Sequence, residues 1–223
     1  MPTFTAAKPR EDPLDYLPCS GVLDYPKDRV VYDQSQSPVC LYLVISGRIK
    51  VSRTADSGRQ FMVDIYQLEE LFGESMILNL SYSPERATAM EPARLMCWTR
   101  EEIEKIILRR PRLAIALTQI MALRAREFAD RLESFSTDNI QRRLAHALLR
   151  FANRMGMPDI GRSVYMPVLT HQLLAEYVGT SRELVSRYMG QFRRKELLCY
   201  SKRTRGIVLH PDACREWLRK SCP

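Results

Sequence analysis

Short apolar runs separated by turn residues dominate the first half of the chain. These runs are rich in Val, Ile and Tyr, and they cover residues 29–32, 41–45, 48–53, 60–66 and 93–98. Gly47 and the Ser57-Gly58 pair stand between runs, where hairpin turns need a positive φ angle. The spacing predicts a small antiparallel β-structure that closes into a sandwich, roll or barrel, because open strand edges invite aggregation.

Helical periodicity replaces this pattern at Thr99. The tetrapeptide Thr99-Arg-Glu-Glu102 has the form of a capping box, and isoleucines on one helical face follow it. Pro111 suits the first turn of a second helix, and residues 112–136 contain no Gly or Pro. The sequence therefore predicts a short helix and then a helix of about 25 residues, roughly 38 Å long.

The long helix carries two apolar stripes. One stripe, which we call the seam, has the alternating spacings of four and three that are typical of a helix–helix contact. The seam consists of Ala114, Thr118, Met121, Ala125, Phe128, Leu132 and Phe135. The second stripe consists of Leu113, Leu117 and Ile120. If the second stripe packs on the β-structure, the seam is left for a second copy, which predicts a parallel dimer; the alternative is a helix buried on both stripes within one subunit.

Helices and short strands alternate after residue 138. Asp138-Asn139 opens a helix over residues 140–155, which Gly156 and Pro158 end, and a short strand is predicted at 164–167. The change of pattern, in a chain of 223 residues, indicates a second folded domain.

Two capped helices joined at a glycine follow this strand. Thr170 caps a helix of about nine residues, Gly179 breaks it, and Ser181 caps a further helix that runs to about Lys195. Their length and punctuation are typical of a helix-turn-helix.

The end of the chain is strongly basic. Residues 139–223 hold 16 Lys and Arg against 6 Asp and Glu, whereas the whole chain has 34 and 26. Apolar runs at 197–200 and 206–209 flank the basic turn Ser201-Lys-Arg-Thr-Arg205, which predicts a β-wing. Such an excess attracts phosphate backbones. A solvated basic face or affinity for anionic lipid is the alternative, since charge asymmetry alone favours nucleic acid only modestly.

Polar side chains cluster in the first half of the helix that Ser181 caps. We predict that they read base edges in the major groove, where Arg pairs with guanine and Glu accepts from cytosine. These residues are Arg182, Glu183, Ser186 and Arg187. Other side chains nearby are predicted to bind phosphates and fix the register. They are Thr170, His171, Gln172, Arg193, Arg194, Lys195, Lys202, Arg203 and Arg205. The alternative is an amphipathic, solvated helix.

Composition excludes several classes of protein. The longest apolar runs are far shorter than the roughly 20 residues of a membrane-spanning helix. The first residues carry charges and prolines where a secretory signal needs an apolar core, so we expect a cytoplasmic protein without a membrane partner. The alternative from another class is an enzyme, such as a hydrolase that uses Cys199 or Cys214 with His210. The sequence shows neither a Gly-rich nucleophile turn nor paired carboxylates in a recognisable setting, which argues against this alternative.

These motifs together resemble the CRP/FNR superfamily of bacterial transcription regulators. Residues 170–175, 179–183 and 185–187 look like its helix-turn-helix, residues 41–48 resemble its β-roll core, and Phe72-Gly-Glu74 resembles its effector-pocket signature. The resemblance implies an α+β protein: an antiparallel β-roll at 1–110 that senses an effector, a dimerisation helix at 111–137, and a winged helix-turn-helix at 138–223.

The resemblance also implies a function. A homodimer of this type binds double-stranded DNA at a two-fold promoter site, with half-sites containing a TGA-like core, and acts with RNA polymerase. Arg182, Glu183 and Arg187 correspond to base-contacting positions of the CRP-like type, and Glu183, Ser186 and Arg187 match the FNR-like E-x-x-S-R pattern. The rival function is a cyclic-nucleotide-binding signalling module with a non-specific basic tail.

An effector pocket is predicted around Gly73, Glu74 and Arg86. Arg and helix-terminal amides make a good anion cradle, and the pocket would include Ala87, Thr88 and Phe128. Phe128-Ala129 replaces the Thr-Ser pair that touches adenine in cyclic-AMP-binding members, and Glu69 stands where the family has a turn glycine. A cyclic nucleotide, another small molecule, and a vestigial pocket closed by a Glu74–Arg86 salt bridge therefore remain alternatives.

Other sensing chemistries find little support in the sequence. An iron–sulfur cluster needs several thiolates near the N-terminus, where Cys19 is alone, and haem held by imidazole needs a histidine in the first half, where there is none. Cysteine and histidine spacings also lack the pattern of a zinc site. A thiol-based redox switch, for instance Cys19 with Cys199, remains a hypothesis.

Overall fold

The computed structural model describes residues 11–33, 38–78, 84–159, 162–201 and 206–221. The described residues form two compact units, one within 1–54 and 63–132 and the other within 55–62 and 133–223. Strands and helices are mixed, and the paired strands described below are antiparallel, so the α+β prediction is confirmed.

The first unit is built around two four-stranded sheets, which we call the roll. Its strands are β1 (Val22–Tyr25), β2 (Val30–Tyr32), β3 (Cys40–Ser46), β4 (Ile49–Thr54), β5 (Gln60–Tyr66), β6 (Leu71–Phe72), β7 (Glu85–Ala89) and β8 (Ala93–Thr99). One sheet has the order β1-β8-β3-β6 and the other β2-β7-β4-β5. Sequence patterns identified the apolar strands but missed β1, β6 and β7, which are short or carry charged residues.

Stacked aromatic rings occupy the centre of the roll. Ring centroids of Tyr42 and Phe72 are 5.1 Å apart, those of Tyr66 and Phe72 are 5.5 Å apart, and those of Tyr32 and Tyr42 are 6.1 Å apart. All four rings are buried, together with aliphatic side chains from both sheets. Ring stacking of this kind adds to the free energy of burial.

Two helices follow the roll, α1 (Arg100–Arg109) and α2 (Arg112–Thr137). The predicted capping box begins α1: the Glu102 N–H donates to Thr99 Oγ1 at 3.3 Å, and the Thr99 N–H donates to Glu102 Oε2 at 2.7 Å. Leu113 and Leu117 of α2 are buried against Trp98 and other apolar side chains of the roll. The second stripe of the long helix therefore packs as predicted.

The seam of α2 stays largely exposed. Phe128 and Leu132 are 47% and 67% exposed, Thr118 and Ala125 are also exposed, and Ala114 and Met121 are half-buried. The alternative of a helix buried on both stripes within one subunit is therefore wrong.

Arg124 extends the roll-facing stripe of α2 by one further turn. Its guanidinium forms an ion pair with Glu74, with Nη1 to Oε1 at 2.5 Å, and lies 4.9 Å from the centroid of the Tyr66 ring. It also donates to the Leu71 carbonyl. One turn of short 3-10 helix, Glu74–Leu78, presents the Glu74 carboxylate. The pair thus joins α2 to the roll through a charged contact of low exposure.

The second unit contains four helices and a small sheet in its described part. The helices are α3 (Ile140–Met155), α4 (His171–Val178), α5 (Arg182–Arg194) and α6 (Pro211–Lys220). The strands are β9 (Met157–Pro158), β10 (Val164–Pro167), β11 (Leu198–Tyr200) and β12 (Gly206–Leu209), in the order β11-β12-β10-β9. The predicted helices and wing strands are present, whereas α6 was missed. Among the residues that the structure describes, no helix has the length and apolar character needed to cross a membrane.

The Arg124–Glu74 pair makes a first testable prediction. Arg124→Met removes the cation that pairs with the Glu74 carboxylate, which is only partly exposed to solvent. We therefore expect a loss of about 2 kcal/mol in the free energy of unfolding. Glu74→Gln should lose less, and the double variant should lose about 1–2 kcal/mol less than the sum of the two singles. Urea unfolding followed by circular dichroism measures all three.

Arg126→Met is the matched control, because Arg126 is exposed on the same helix. It should change the stability by less than about 0.5 kcal/mol. Additive losses in the double variant would show that Arg124 and Glu74 do not stabilise each other.

Candidate nucleic-acid interface and effector pocket

Local hydrogen bonds and one glycine fix the turn between α4 and α5. Thr170 Oγ1 accepts from the Leu173 N–H at 3.1 Å, and Ser181 Oγ accepts from the Leu184 N–H at 3.3 Å, so both predicted caps are present. Gly179 has φ +70°, and a Cβ there would lie 2.8 Å from a ring carbon of Phe135. The turn therefore needs glycine both for its backbone conformation and for space.

The predicted base-reading residues share one exposed face of α5, which we call the reading face. Arg182, Glu183, Ser186 and Arg187 are all exposed. Helix residues of the opposite face are buried: Val185, Met189 and Phe192. The four polar residues of the reading face therefore lie side by side over the first two turns of α5, as the sequence predicted. Contact with bases remains a prediction.

The surroundings of Glu183 favour its ionised form. Its own backbone N–H, the Ser181 side chain and Arg182 lower the pKa of the carboxyl below its ordinary value. An ionised carboxylate can only accept hydrogen bonds. Glu183 therefore suits a base edge that donates, such as the cytosine amino group.

Most of the predicted phosphate-binding residues lie at the surface. Exposed members in the described part are Thr170, Gln172, Arg193, Arg194 and Lys195. The Gln172 amide donates to Glu176 Oε1 at 3.1 Å, and the Lys195 ammonium lies 5.4 Å from the Trp217 ring centroid. Lys202, Arg203 and Arg205 fall outside the described residues.

His171 differs from the other predicted phosphate contacts. Its Nδ1 lies 2.8 Å from Ser186 Oγ, and its Nε2 lies 3.2 Å from Tyr200 Oη. Both ring nitrogens are therefore engaged within the protein, and the ring is half-buried. His171 joins three elements, α4, α5 and β11, rather than presenting a free nitrogen to a phosphate.

The structure separates two residues of the predicted effector pocket. Glu74 pairs with Arg124, so the predicted alternative of a Glu74–Arg86 salt bridge is wrong. Arg86 is exposed on β7, whereas its neighbour Ala87 is fully buried on the other face of that strand. Strand residues alternate between faces, so Arg86 and Ala87 cannot both face the roll interior. Sequence reasoning placed them in one pocket because it had no measure of strand facing.

Glu69 and Gly73, which lie just before and after β6, both have a positive φ angle. Gly73 has φ +85°, and a Cβ there would lie 2.7 Å from the Cys40 carbonyl oxygen. Glu69 has φ +65°, a conformation that side chains other than glycine rarely adopt. Glu69 thus adopts the left-handed backbone conformation that glycine occupies most readily. Of the remaining pocket residues, Thr88 is half-buried and Phe128 is exposed.

Two carboxylates, Glu74 and Glu85, lie close enough to interact at the roll. Burial and the nearby Glu74 raise the pKa of the Glu85 carboxyl above its ordinary value. Arg124 supplies positive charge there, and Glu74 already holds it. An anion entering the interior must therefore compete with Glu74 for Arg124, or bind at the face where Arg86 is exposed.

The cysteines differ in reactivity. Cys19 and Cys199 are exposed free thiols, whereas Cys214 is buried. Burial raises the pKa of the Cys214 thiol to about 12, which opposes a role as a nucleophile. Burial and the neighbouring Cys97 raise the pKa of Cys40 to about 11. Among the described residues there is no cluster of three or more side chains arranged to hold a metal ion.

Sequence reasoning missed Arg124 and Tyr200. Arg124 lies four residues after Ile120 on the roll-facing stripe, so a charged residue in register with an apolar stripe was the available indication. Tyr200 ends β11 beside the basic turn, and no local pattern links it to His171, which is 29 positions away.

Comparisons with known proteins agree with this architecture. Residues 22–110 match the family model of a cyclic nucleotide-binding domain, and residues 142–216 match that of a Crp-like helix-turn-helix domain. The chain is 32% identical over 165 residues to the cyclic AMP receptor protein of Thermus thermophilus, which covers 74% of this chain and 73% of that protein.

Two further proteins are similar to this chain. The CRP-like cAMP-activated global transcriptional regulator of Mycobacterium tuberculosis is 28% identical over 173 residues, covering 78% of this chain and 77% of that protein. FixK2 from Bradyrhizobium japonicum has the same fold, with a TM-score of 0.76 at 21% identity, covering 88% of this chain and 96% of that one. The chain therefore belongs to the CRP/FNR superfamily and is a CRP-like transcription regulator with a cyclic-nucleotide-binding-type domain and a Crp-like helix-turn-helix.

Proposed function

We propose that this chain acts as an effector-responsive homodimer that recognises a palindromic promoter site, with a TGA-like core in each half-site, and works with RNA polymerase. The observation that carries the proposal is the exposed reading face of α5, presented by a turn of helix-turn-helix geometry. The basic excess of residues 139–223 supports DNA as the partner, because phosphate neutralisation supplies much of the affinity.

Glu183 favours sequence reading over non-specific docking. A carboxylate on a basic surface repels phosphates, so it weakens a surface that only docks on the DNA backbone. Opposite a base that donates a hydrogen bond, the same carboxylate contributes to discrimination. Its lowered pKa and its exposure fit this second role.

The exposed seam of α2 supports the dimer. Ala125, Phe128 and Leu132 form an apolar strip with heptad spacing on the outside of the subunit. Exposed apolar strips of this kind mark interaction sites, and a second copy of α2 carries the complementary spacing. A two-fold dimer would match a palindromic site.

The seam yields a prediction about assembly. Phe128→Glu and Leu132→Glu each bury a charge if the seam is an interface, so either variant should convert a dimer to a monomer. Leu108→Glu is the control, because Leu108 is 83% exposed on α1 and lies outside the seam. Sedimentation velocity distinguishes the species. Dimers that survive both seam substitutions would remove the seam as the interface.

The reading face yields a prediction about recognition. Arg187→Ala should weaken the free energy of binding to the protein's selected palindromic site by about 1–3 kcal/mol, because it removes a bidentate guanine contact, and should weaken binding to random DNA much less. Arg194→Ala, at a predicted phosphate contact, should lower the affinities for the selected site and for random DNA by similar factors. It should also reduce the slope of log affinity against log salt by about one. Fluorescence anisotropy on the two duplexes measures this.

The target sequence itself comes from selection among random duplexes. Two reading helices of a dimer should select half-sites about one helical turn apart, roughly 34 Å. If a dimeric protein supplied with its effector selects no palindrome, the regulator proposal fails and the non-specific basic module replaces it.

We infer that the small-molecule effector binds at the roll, near Gly73, Glu74 and Arg86. Arg86 is an exposed cation on β7, and an anionic group is the chemistry that suits it. Relatives whose names include cyclic AMP make a cyclic nucleotide one candidate, and metabolic carboxylates are the other.

Arg86→Leu is the corresponding test. It should abolish binding of the anionic effector and leave the thermal unfolding midpoint unchanged, because the Arg86 side chain is exposed. Arg53→Leu, at an exposed arginine of the neighbouring strand, should retain binding. Isothermal titration with cyclic AMP and a panel of metabolic carboxylates provides the measurement. Failure of every compound to bind the wild type would favour a vestigial pocket.

A further inference from the structure

Ser186 of the reading face takes part in two hydrogen bonds within the protein. Its hydroxyl donates to the Arg182 carbonyl at 2.9 Å, one turn back along α5. Its oxygen also lies 2.8 Å from His171 Nδ1. The remaining neighbour in this chain of contacts is Tyr200, whose hydroxyl is 3.2 Å from His171 Nε2.

Counting hydrogens fixes the direction of each bond when the His171 ring is neutral. A serine hydroxyl has one hydrogen and a carbonyl has none, so Ser186 must donate to Arg182 if that bond forms. His171 Nδ1 must then carry the hydrogen that it shares with Ser186. In the neutral ring Nε2 is left as an acceptor, and the Tyr200 hydroxyl donates to it. With a neutral ring, this one arrangement satisfies all three contacts.

The surroundings of His171 favour this neutral ring. Burial and the nearby Arg182 lower the pKa of His171 below its ordinary value. Burial also raises the pKa of the Tyr200 hydroxyl, which therefore keeps its hydrogen. Both effects act in the direction that the hydrogen count requires.

We propose that His171 is a positioning residue for base recognition: it fixes the Ser186 hydroxyl as a hydrogen-bond acceptor, so that Ser186 selects a base edge that donates. This inference rests on the proposed DNA-reading function. The donating groups in the major groove are the amino groups of adenine and cytosine. Tyr200 of β11 fixes the tautomer of His171 and thereby links the wing strand to the reading face.

A serine without this constraint reads bases poorly. Its hydroxyl rotates and can donate or accept, so it bonds to carbonyl and amino groups alike. His171 removes that freedom by occupying one acceptor position, while the Arg182 carbonyl occupies the only hydrogen. The remaining lone pair is the group that Ser186 offers to DNA.

The tautomer can be observed without DNA. A long-range ¹H–¹⁵N correlation spectrum of the wild-type protein at neutral pH should show His171 as the neutral Nδ1–H tautomer. A neutral Nε2–H tautomer would overturn the proposal whatever the protein binds.

Base preference provides the second arm of the test. Duplexes of the selected site, varied one base pair at a time, are bound to the wild type and to the Ser186→Ala, His171→Ala and His171→Asn variants. Ser186→Ala and His171→Ala should each reduce the preference at the same single position by roughly three- to tenfold, the effect of about one hydrogen bond. His171→Asn should restore the preference, because its amide nitrogen can donate from nearly the same place as Nδ1.

Gln172→Ala is the matched control, since Gln172 is an exposed neighbour on α4 predicted to bind phosphate. It should lower the affinity for all duplexes equally. The same uniform loss in His171→Ala would show a structural or phosphate-binding role and overturn the proposal. If the wild type selects a site but Ser186→Ala leaves every preference unchanged, the positioning role fails while the regulator function stands; if the wild type selects no site, both fail.

Discussion

Helix α2 carries two apolar stripes, of which one packs on the roll and the other stays exposed, and the attachment of the helix to the roll and the proposed dimer both depend on this division. Its roll-facing stripe begins with Leu113 and Leu117, which are buried, and continues with Arg124, which pairs with Glu74. The seam on its other side stays exposed. A helix that buried both stripes within one subunit would have no apolar surface left for a partner. The Arg124–Glu74 pair at the end of the roll-facing stripe thus identifies the packed side of α2 as clearly as the buried leucines do.

The roll interior combines apolar packing with a small number of charges. Stacked rings of Tyr32, Tyr42, Tyr66 and Phe72 fill its centre, and Arg124 lies over one of them. Charges of low exposure interact strongly because little water screens them. The Arg124–Glu74 pair lies at the contact between α2 and the roll, so the proposed effector site near Glu74 adjoins the contact that holds α2 on the roll.

The helix-turn-helix depends on close contacts as well as on charge. Gly179 allows the turn to pass beside Phe135, and the buried face of α5 fixes its rotation so that the reading face is exposed. His171 then ties that face to the wing strand through Tyr200. Positive charge attracts DNA over a distance, whereas the directed groups of Glu183 and Ser186 are the ones that we propose discriminate between bases. The two kinds of residue lie side by side on one helix.

Sequence alone determined the features that depend on near neighbours. Periodicity gave the apolar strands and the helices, and the caps at Thr99, Thr170 and Ser181 were recognisable because each bonds only a few positions away. Tertiary structure decided which distant groups meet: Arg124 rather than Arg86 as the partner of Glu74, and His171 as the link between Ser186 and Tyr200. No local pattern encodes such pairs, because strand facing and helix docking choose them. The sequence supplies the charged and polar groups, and packing over long separations assigns their partners.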